Sequence, residues 1–131
     1  MKKVVKFGGS SLASAEQFKK VGEIIRSDEG RRYVVPSAPG KRFNSDTKVT
    51  DMLYQCYALA EQGKDFDNEL KAIKERYYEI IHGLSLDLSL NEEFKTIKKN
   101  FQEKAGSDYA ASRGEYLNGI VMANYLGYEF L

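Results

Sequence analysis

The chain has 131 residues, of which 20 are basic and 19 are acidic. This length suits one ordinary domain with its own hydrophobic core. Because the charges nearly cancel, no global field would attract nucleic acid or an anionic membrane surface, and partners have to be recognised locally.

The single cysteine, Cys56, excludes an intramolecular disulfide and has no second thiol nearby for metal or redox chemistry. No apolar run approaches the roughly 18 to 20 residues that a membrane span requires, and the N-terminus lacks the apolar core of a signal peptide. We therefore expect a soluble cytoplasmic protein in a reducing compartment, with no membrane or nucleic-acid partner.

The first predicted elements are a strand and a helix. Residues 1–7 contain a short apolar run that a glycine pair closes, which is typical of a buried parallel strand. Ser14 is followed three residues later by Gln17, a capping-box spacing, and an apolar pattern at helical spacing begins after it. The first helix is therefore expected from Ser14 to about Asp28.

A second strand follows the helix. Gly30 is expected to end the helix, and residues 33–35 form a second apolar run that Pro36 stops. Strand, helix and strand in this order predict a βαβ unit with a right-handed crossover. Residues 37–47 are rich in turn-forming residues and predict a long polar loop at the exit of the second strand. Loops in this position tend to line binding sites.

The rest of the chain is predicted to be mostly helical. Apolar stripes at spacings of three and four residues predict helices over residues 49–60, 66–84 and 94–101. A last helix is marked by residues 117–124 and should end near Gly127. We expect a turn over residues 83–91 and the beginning of a further strand over residues 128–131.

Lys6 is the first candidate for chemistry, because it stands directly before the glycine pair. Phosphoryl transfer requires that charge be neutralised and that the reactants be held in line, which a cation and backbone amides can do. Gly8 and Gly9 would let phosphate oxygens approach the backbone, and the helix that begins near Ser14 would add its positive dipole end. The alternative is a solvated lysine before an ordinary turn. The phosphate-loop motif Gly-x-x-x-x-Gly-Lys-Ser/Thr and the dinucleotide motif Gly-x-Gly-x-x-Gly are both absent.

Two hydroxyl residues lie where the predicted elements begin or end. Ser37 leaves the second strand and could donate a hydrogen bond to an oxyanion, although Ser-Ala-Pro-Gly is also simply a good turn. Thr50 lies at the start of the second helix, where Thr47 or Thr50 could instead serve as the cap. The neighbouring Lys41 and Arg42 could attract an anion or could simply be solvated.

A third polar segment, Ser112-Arg113-Gly114-Glu115, is expected at the start of the last helix. Glu115 could supply a carboxylate to a cationic group of a substrate. The alternative is an exposed first-turn glutamate that the helix dipole favours. His82 has no acidic or cysteine partner at a ligand spacing, and we assign no metal ligand.

These segments carry a resemblance to a known family. Val-Val-Lys-Phe-Gly-Gly-Ser-Ser-Leu at 4–12, Ser-Ala-Pro-Gly at 37–40, Val-Thr-Asp-Met-Leu at 49–53 and Ser-Arg-Gly-Glu at 112–115 together resemble the aspartokinases of the amino acid kinase family. The resemblance covers essentially the whole chain. It implies an α/β fold, the amino-terminal half of the amino acid kinase αβα sandwich, with short parallel strands and a helix-rich insertion. It also implies that residues 1–131 lack the ATP-binding half and the regulatory domains.

The resemblance implies roles for individual residues. The residues expected to contact the ATP phosphates are Lys6, which is also the catalytic cation, with Gly8, Gly9 and Ser10. Those expected to contact L-aspartate are Ser37, Thr50, Ser112 and Glu115, with the carboxylate of Glu115 on the α-ammonium group. The implied reaction transfers the γ-phosphoryl group of ATP to the β-carboxylate of L-aspartate, with Mg²⁺ bridging the phosphates. The product, 4-phospho-L-aspartate, leads towards lysine, threonine and methionine.

Two alternatives stay open. One is another kinase of the same superfamily, acting on glutamate, acetylglutamate or a nucleoside monophosphate, which the segments at 49–53 and 112–115 disfavour. The other is a non-catalytic fragment whose amphipathic helices between residues 49 and 105 bury their stripes against another copy, giving a homodimer or a larger assembly. We expect the 131-residue chain by itself to have no measurable kinase activity.

Overall fold

The computed structural model describes residues 3–28 and 33–130. The chain begins with β1 (Val4–Phe7), a short 3-10 helix (Gly9–Leu12), α1 (Ala15–Arg26) and β2 (Tyr33–Pro36); four helices follow, namely α2 (Val49–Glu61), α3 (Asp67–Gly83), α4 (Asn91–Gln102) and α5 (Ser107–Leu126). This is the α/β arrangement that the sequence predicts, with short parallel strands followed by a helix-rich segment.

The two strands form a parallel pair with one covered face and one open face. Val4 lies opposite Tyr33 and Phe7 lies opposite Pro36. Phe7 packs against the core, whereas the side chain of Val4 on the other face is 65% exposed. Strand residues alternate between faces, so Lys6 lies on the open face with Val4. The strands are therefore half-buried, whereas the sequence suggested a strand buried on both sides.

The helices bury their apolar stripes in a common core. The fully buried members of the three stripes are Val49, Leu53, Cys56, Ile73, Tyr77, Ile80, Ile97 and Phe101. The stripes therefore pack inside this chain, in contrast to the alternative in which these helices bury them against another copy.

The local signals at the first helix and at the turn after α3 are confirmed. The Oγ atom of Ser14 accepts a hydrogen bond from the backbone N–H of Gln17 at 3.4 Å, so Ser14 caps α1. Residues 84–90, which connect α3 to α4, have no regular structure. The predicted helix end at Gly30 lies outside the described residues.

The end of the chain does not form the strand that we predicted over residues 128–131. Gly127 adopts the left-handed conformation that ends α5, at φ 72°. The chain then turns back along the helix, and the ring of Phe130 packs against Tyr116 with 5.6 Å between their centroids. Residues 128–130 are therefore not a strand, and residue 131 lies outside the described part.

Two helix starts also differ from prediction. α5 begins at Ser107, so the segment 112–115 lies inside the helix and not at its start. Glu115 is consequently not a first-turn residue. At α2 the N-cap is Lys48 and no side chain caps the helix, so neither Thr47 nor Thr50 has the capping role considered above.

No helix among residues 3–28 and 33–130 is both long and apolar enough to span a membrane.

Candidate active site

The carboxyl ends of β1 and β2 meet at one edge of the sheet. β1 leads into residues 8–10, which we call the glycine bend, and β2 leads into residues 37–48, which we call the β2-exit loop. The N–H of Ser37 donates to the carbonyl of Phe7 at 3.1 Å, and the N–H of Gly40 donates to the carbonyl of Gly9 at 2.8 Å. The residues predicted to bind phosphate therefore lie next to Ser37, which is predicted to bind the substrate.

Glycine is needed at 9 and 40 because the two backbones touch. A Cβ atom on Gly9 would lie 2.9 Å from the carbonyl oxygen of Ala38, and one on Gly40 would lie 2.6 Å from the carbonyl carbon of Gly9. Both distances are shorter than real Cβ contacts allow. Gly9 thus serves the packing of the two loops and not only the approach of a ligand, the role that we predicted.

Gly8 differs from these two glycines. A Cβ atom there would meet nothing within 4 Å, and its φ of −75° and ψ of 167° are extended values that any residue can adopt. The packing of this chain therefore gives no reason for a glycine at this position. The open space over Gly8 is where a ligand could approach the backbone.

Two helical N-termini lie near these loops. The 3-10 helix Gly9–Leu12 follows β1 directly, so α1 is not the first helical turn after the strand, as the sequence suggested. α2 begins at the β2-exit loop, where the N–H of Val49 donates to the carbonyl of Pro39 at 3.0 Å. This contact places the half-buried Thr50 beside the same loop.

Lys6 lies on the open face of β1, opposite Val35. Its side chain is exposed, and it forms no hydrogen bond or ion pair with another residue of the ranges 3–28 and 33–130. The ammonium group next to the glycine bend is therefore not neutralised by those residues.

α5 approaches the β2-exit loop through two residues one turn apart. A Cβ atom on Gly114 would lie 2.7 Å from the Cβ of Ala38, and the side-chain amide of Asn118 donates to the carbonyl of Ser37 at 2.7 Å. Glu115 lies between these two positions on the helix, and its side chain is exposed. One residue along an α-helix corresponds to a rotation of about 100°, so Glu115 points to the side of the Gly114 contact, and its role in substrate binding stays a prediction.

Ser112 is placed differently. Its hydroxyl donates to the carbonyl of Tyr109 at 2.7 Å and accepts from Nη2 of Arg113 at 3.1 Å. Two residues along an α-helix correspond to a rotation of about 200°, so Ser112 faces away from Gly114 and from the β2-exit loop. Its hydroxyl is occupied within α5, and its role in substrate binding stays a prediction.

The two basic residues of the β2-exit loop have different surroundings. Nε of Arg42 bonds the carboxylate of Asp46 at 2.7 Å, and its Nη1 bonds Glu79 at 3.0 Å. The hydrogen bonds from Arg42 hold the pKa of the Asp46 carboxyl well below its usual range. Arg42 is therefore committed to two carboxylates, whereas Lys41 is exposed.

Two buried polar residues that hold the loop were not predicted. Arg76 on α3 is 4% exposed, and its guanidinium donates to the carbonyl of Gly40 at 2.6 Å and to that of Thr47 at 2.8 Å. Burial, followed by the charge of Arg42, lowers the pKa of Arg76 from its ordinary value. Asn118 on α5 is fully buried. The sequence did contain one signal for them: each is a polar residue at a position that the apolar spacing of its helix assigns to the core.

A shallow pocket of about 460 Å³ lies between the β2-exit loop and α2, lined by Lys41, Asp46, Thr47, Asp51, Tyr54 and Gln55. None of the predicted site residues lines it. Across residues 3–28 and 33–130 no group of three or more histidine, cysteine or acidic side chains could hold a metal ion. We therefore assign no Mg²⁺ ligand to these residues.

These observations agree with comparisons to known proteins. A sequence model of the amino acid kinase family matches residues 1–129, and the chain belongs to that family. It is similar to Aspartokinase 3 of Bacillus subtilis, with 39% identity over 97% of this chain and 29% of the relative. It is also similar to the chloroplastic Aspartokinase 1 of Arabidopsis thaliana, with 32% identity over 94% of this chain and 23% of the relative.

Solved structures confirm the fold class. The aspartate kinase of Clostridium acetobutylicum matches with a TM-score of 0.93 and 54% identity over 98% of this chain and 29% of that chain. Aspartokinase III of E. coli, solved in complex with aspartate and ADP, matches with a TM-score of 0.75 and 24% identity over 97% of this chain and 29% of that chain, and supports the fold alone. The chain spans 29% of the length of the first relative in each comparison.

Proposed function

We propose that this chain is the amino-terminal portion of the catalytic domain of an aspartokinase. The parent protein would transfer the γ-phosphoryl group of ATP to the β-carboxylate of L-aspartate, giving 4-phospho-L-aspartate. The observation that carries this proposal is the match to the aspartate kinase of Clostridium acetobutylicum, at 54% identity over 98% of the chain. The pathway is lysine, threonine and methionine biosynthesis in the cytoplasm, with the ATP used as its Mg²⁺ complex.

The phosphate-binding proposal rests on the β1 end of the site. Lys6 is exposed at the end of β1, and the space over Gly8 is open. An ammonium group and bare amides there would neutralise the charge that develops on the transferred group. We propose Lys6 as the catalytic cation and Gly8, Gly9 and Ser10 as further contacts to the phosphates.

The aspartate-binding proposal rests on the β2-exit loop. Ser37 and Thr50 bring hydroxyl donors to this loop, and the exposed Glu115 precedes by three residues on α5 the Asn118 whose amide bonds the Ser37 carbonyl. A carboxylate is the group that binds an α-ammonium strongly, and hydroxyl donors suit carboxylate oxygens. Ser112 would support this site only after exchanging its bond to Tyr109 for one to the ligand.

The test uses the full-length parent protein in a coupled assay of ADP release with aspartate and Mg²⁺-ATP. Lys6→Met should lower kcat by about 100-fold or more, the usual effect of removing one preorganised charge-stabilising group. Lys19→Met, which removes an exposed lysine from α1, is the matched control and should leave kcat unchanged. Glu115→Gln should raise the KM for aspartate more than that for ATP. A parent protein that releases no ADP with aspartate would refute the proposal.

The same assay separates the alternative kinases. Glutamate, acetylglutamate and nucleoside monophosphates are offered in place of aspartate, and turnover with one of them but not with aspartate would select that enzyme instead. The isolated 131-residue chain should show no measurable turnover. Turnover at ordinary rates would show that the ATP-binding half is dispensable.

Self-association of the isolated chain is a second candidate. The open face of the sheet favours it, because Val4, Tyr33 and Val35 there are 65%, 44% and 45% exposed. Light scattering at two protein concentrations tests it, and a mass that stays monomeric at both would exclude it.

A further inference from the structure

We propose that Arg76 is a positioning residue that holds the β2-exit loop against the glycine bend and so sets the geometry of both proposed substrate sites. The proposal rests on the proposed function, because it assigns Arg76 to the support of that site. Arg76 touches neither proposed substrate contact directly, and its effect passes through backbone carbonyls.

The environment of Arg76 is costly for a cation. Its side chain is 4% exposed, and the closest carboxylate oxygen, on Asp46, lies 3.6 Å from Nη1. The buried Nε atom has no hydrogen-bond partner among the described residues. Replacing buried ion pairs by apolar residues of similar volume is often neutral or stabilising, so stability alone does not explain an arginine here.

The bonds that Arg76 does make explain its position. Nη2 donates to the carbonyl of Gly40 at 2.6 Å and Nη1 donates to the carbonyl of Thr47 at 2.8 Å. These carbonyls stand near the two ends of the β2-exit loop. One planar guanidinium therefore fixes both, which a lysine ammonium on a single flexible stem cannot reproduce with the same geometry.

The contact continues from Gly40 to the glycine bend. The N–H of Gly40 donates to the carbonyl of Gly9 at 2.8 Å, so one residue is held by Arg76 on its carbonyl and by Gly9 on its amide. A shift of Gly40 would move Gly9 as well, because the two backbones are already in contact. Thr47, the second carbonyl partner, leads directly into the first turn of α2 with Thr50.

Charged and polar groups around Arg76 complete the arrangement. Asp46 lies between Arg76 and Arg42, Glu79 binds Arg42 from the outside, and Sδ of Met52 lies 3.9 Å from Nη1 of Arg76. The Asp46 carboxylate lies closer to Arg42, at 2.7 Å, than to Arg76, at 3.6 Å. The bonds of Arg76 to the two carbonyls are therefore its shortest interactions.

The test compares variants of the full-length protein. Arg76→Met keeps most of the apolar volume of the side chain and removes both hydrogen bonds to the carbonyls. We expect the KM values for aspartate and for ATP each to rise about tenfold, which corresponds to the net free energy of about one hydrogen bond. Lys71→Met removes an exposed lysine from the same helix, and both KM values should stay within twofold of the wild type.

Amide hydrogen exchange supplies a readout that does not depend on activity. In Arg76→Met the segment 37–48, with the Gly40 amide in it, should exchange at least tenfold faster, whereas α4 should exchange at its wild-type rate. A folded variant with unchanged loop exchange and unchanged KM values would overturn the proposal.

Arg76→Lys covers the case in which Arg76→Met does not fold. It keeps the charge and can reach one carbonyl but not both, so both KM values should still rise, and wild-type values would again overturn the proposal. A parent protein with no aspartate-dependent ADP release would instead refute the proposed function. The exchange of the loop in the Arg76 variants would then still decide whether Arg76 holds it.

Discussion

Two glycine-to-alanine substitutions separate the packing role of a glycine from a ligand-binding role. Gly40→Ala places a Cβ atom 2.6 Å from the carbonyl carbon of Gly9 and 2.8 Å from the backbone nitrogen of Ser10. Gly8→Ala places its Cβ atom in open space. The φ and ψ of Gly8, −75° and 167°, are comfortable for alanine, so Gly8→Ala is the matched control for the effect of a methyl group in the native state.

The expected size of the effect follows from the contacts. Non-bonded carbon atoms prefer separations of about 3.5 to 4.0 Å, so the backbones of the two loops have to move apart in Gly40→Ala. Overpacking of this kind costs about 1 to 3 kcal/mol, and stretching the bond from Gly40 to Gly9 costs about 1 kcal/mol more. Both variants gain about 0.4 to 1 kcal/mol from the stiffer unfolded chain. That gain cancels in the comparison, and Gly40→Ala should be less stable than Gly8→Ala by about 2 to 4 kcal/mol.

Equilibrium urea unfolding of the 131-residue chain measures this difference. The urea concentration at the midpoint of unfolding should be equal to or slightly above the wild-type value in Gly8→Ala and clearly below it in Gly40→Ala. The slope of the unfolding free energy against urea concentration should be similar in both variants. In the full-length protein Gly8→Ala should raise the KM for ATP despite its unchanged stability, because its methyl group enters the space proposed for a phosphate. Equal unfolding midpoints for the two variants would show that the contact between Gly40 and Gly9 is not the tight one described above.

Two further predictions concern titratable groups. The folded-state pKa of Asp46 lies below its ordinary value, chiefly because Arg42 donates to its carboxylate. As the pH falls the unfolded chain therefore takes up the proton first, so the stability that this carboxylate contributes is present above about pH 4 and is lost as the pH falls further. In Asp46→Asn the urea midpoint should therefore change less between about pH 6 and pH 3 than it does in the wild type. An Asp46→Asn variant that keeps the full acid dependence would contradict this assignment. Burial, with smaller effects of Glu69 and Asp67, raises the pKa of Cys56 to about 12, so a thiol reagent at pH 8 should label the native chain only at the rate at which it unfolds and should label it at once in denaturing urea. Fast labelling of the native chain would show that the thiol is accessible.

The features that the sequence predicted correctly depend on neighbours along the chain. The cap at Ser14 is a contact between residues three apart. The two strands end at a glycine pair and at Pro36, and both end signals act within one or two residues of the strand. α2, α3 and α4 carry large apolar side chains at helical spacing, so their positions could be read from the pattern.

The sequence pattern predicted too late a start for α5, because the residues that its first turns bury in the core are small. Ala110 is fully buried, and Gly114 lies against Ala38 and Leu53. Neither residue contributes much to a hydrophobic pattern, so the periodicity becomes visible only from Leu117. The helix begins at Ser107, ten residues earlier.

The contacts of Arg76 and Asn118 could not be predicted, because they join side chains to backbone carbonyls far away in the sequence. Arg76 bonds Gly40 across 36 residues, and Asn118 bonds Ser37 across 81 residues. A polar residue at a core register indicates that some partner exists, but only the fold identifies it. The strand predicted over residues 128–131 is wrong for a related reason. Phe130 packs against Tyr116 on α5, and no local sequence pattern indicates this contact.

The glycines of the predicted motifs therefore divide by their surroundings. Gly9 and Gly40 let the two strand exits touch, and Gly114 lets α5 approach Ala38, so a side chain at any of the three would push apart elements that carry proposed site residues. Each of these glycines is explained by packing within the chain. Gly8 is not, because its conformation is ordinary and no atom of residues 3–28 and 33–130 lies within 4 Å of a Cβ atom placed there. Among the glycines of these motifs, Gly8 is thus the one that packing within the described residues does not explain, which is why Gly8→Ala tests the proposed phosphate contact two residues from Lys6.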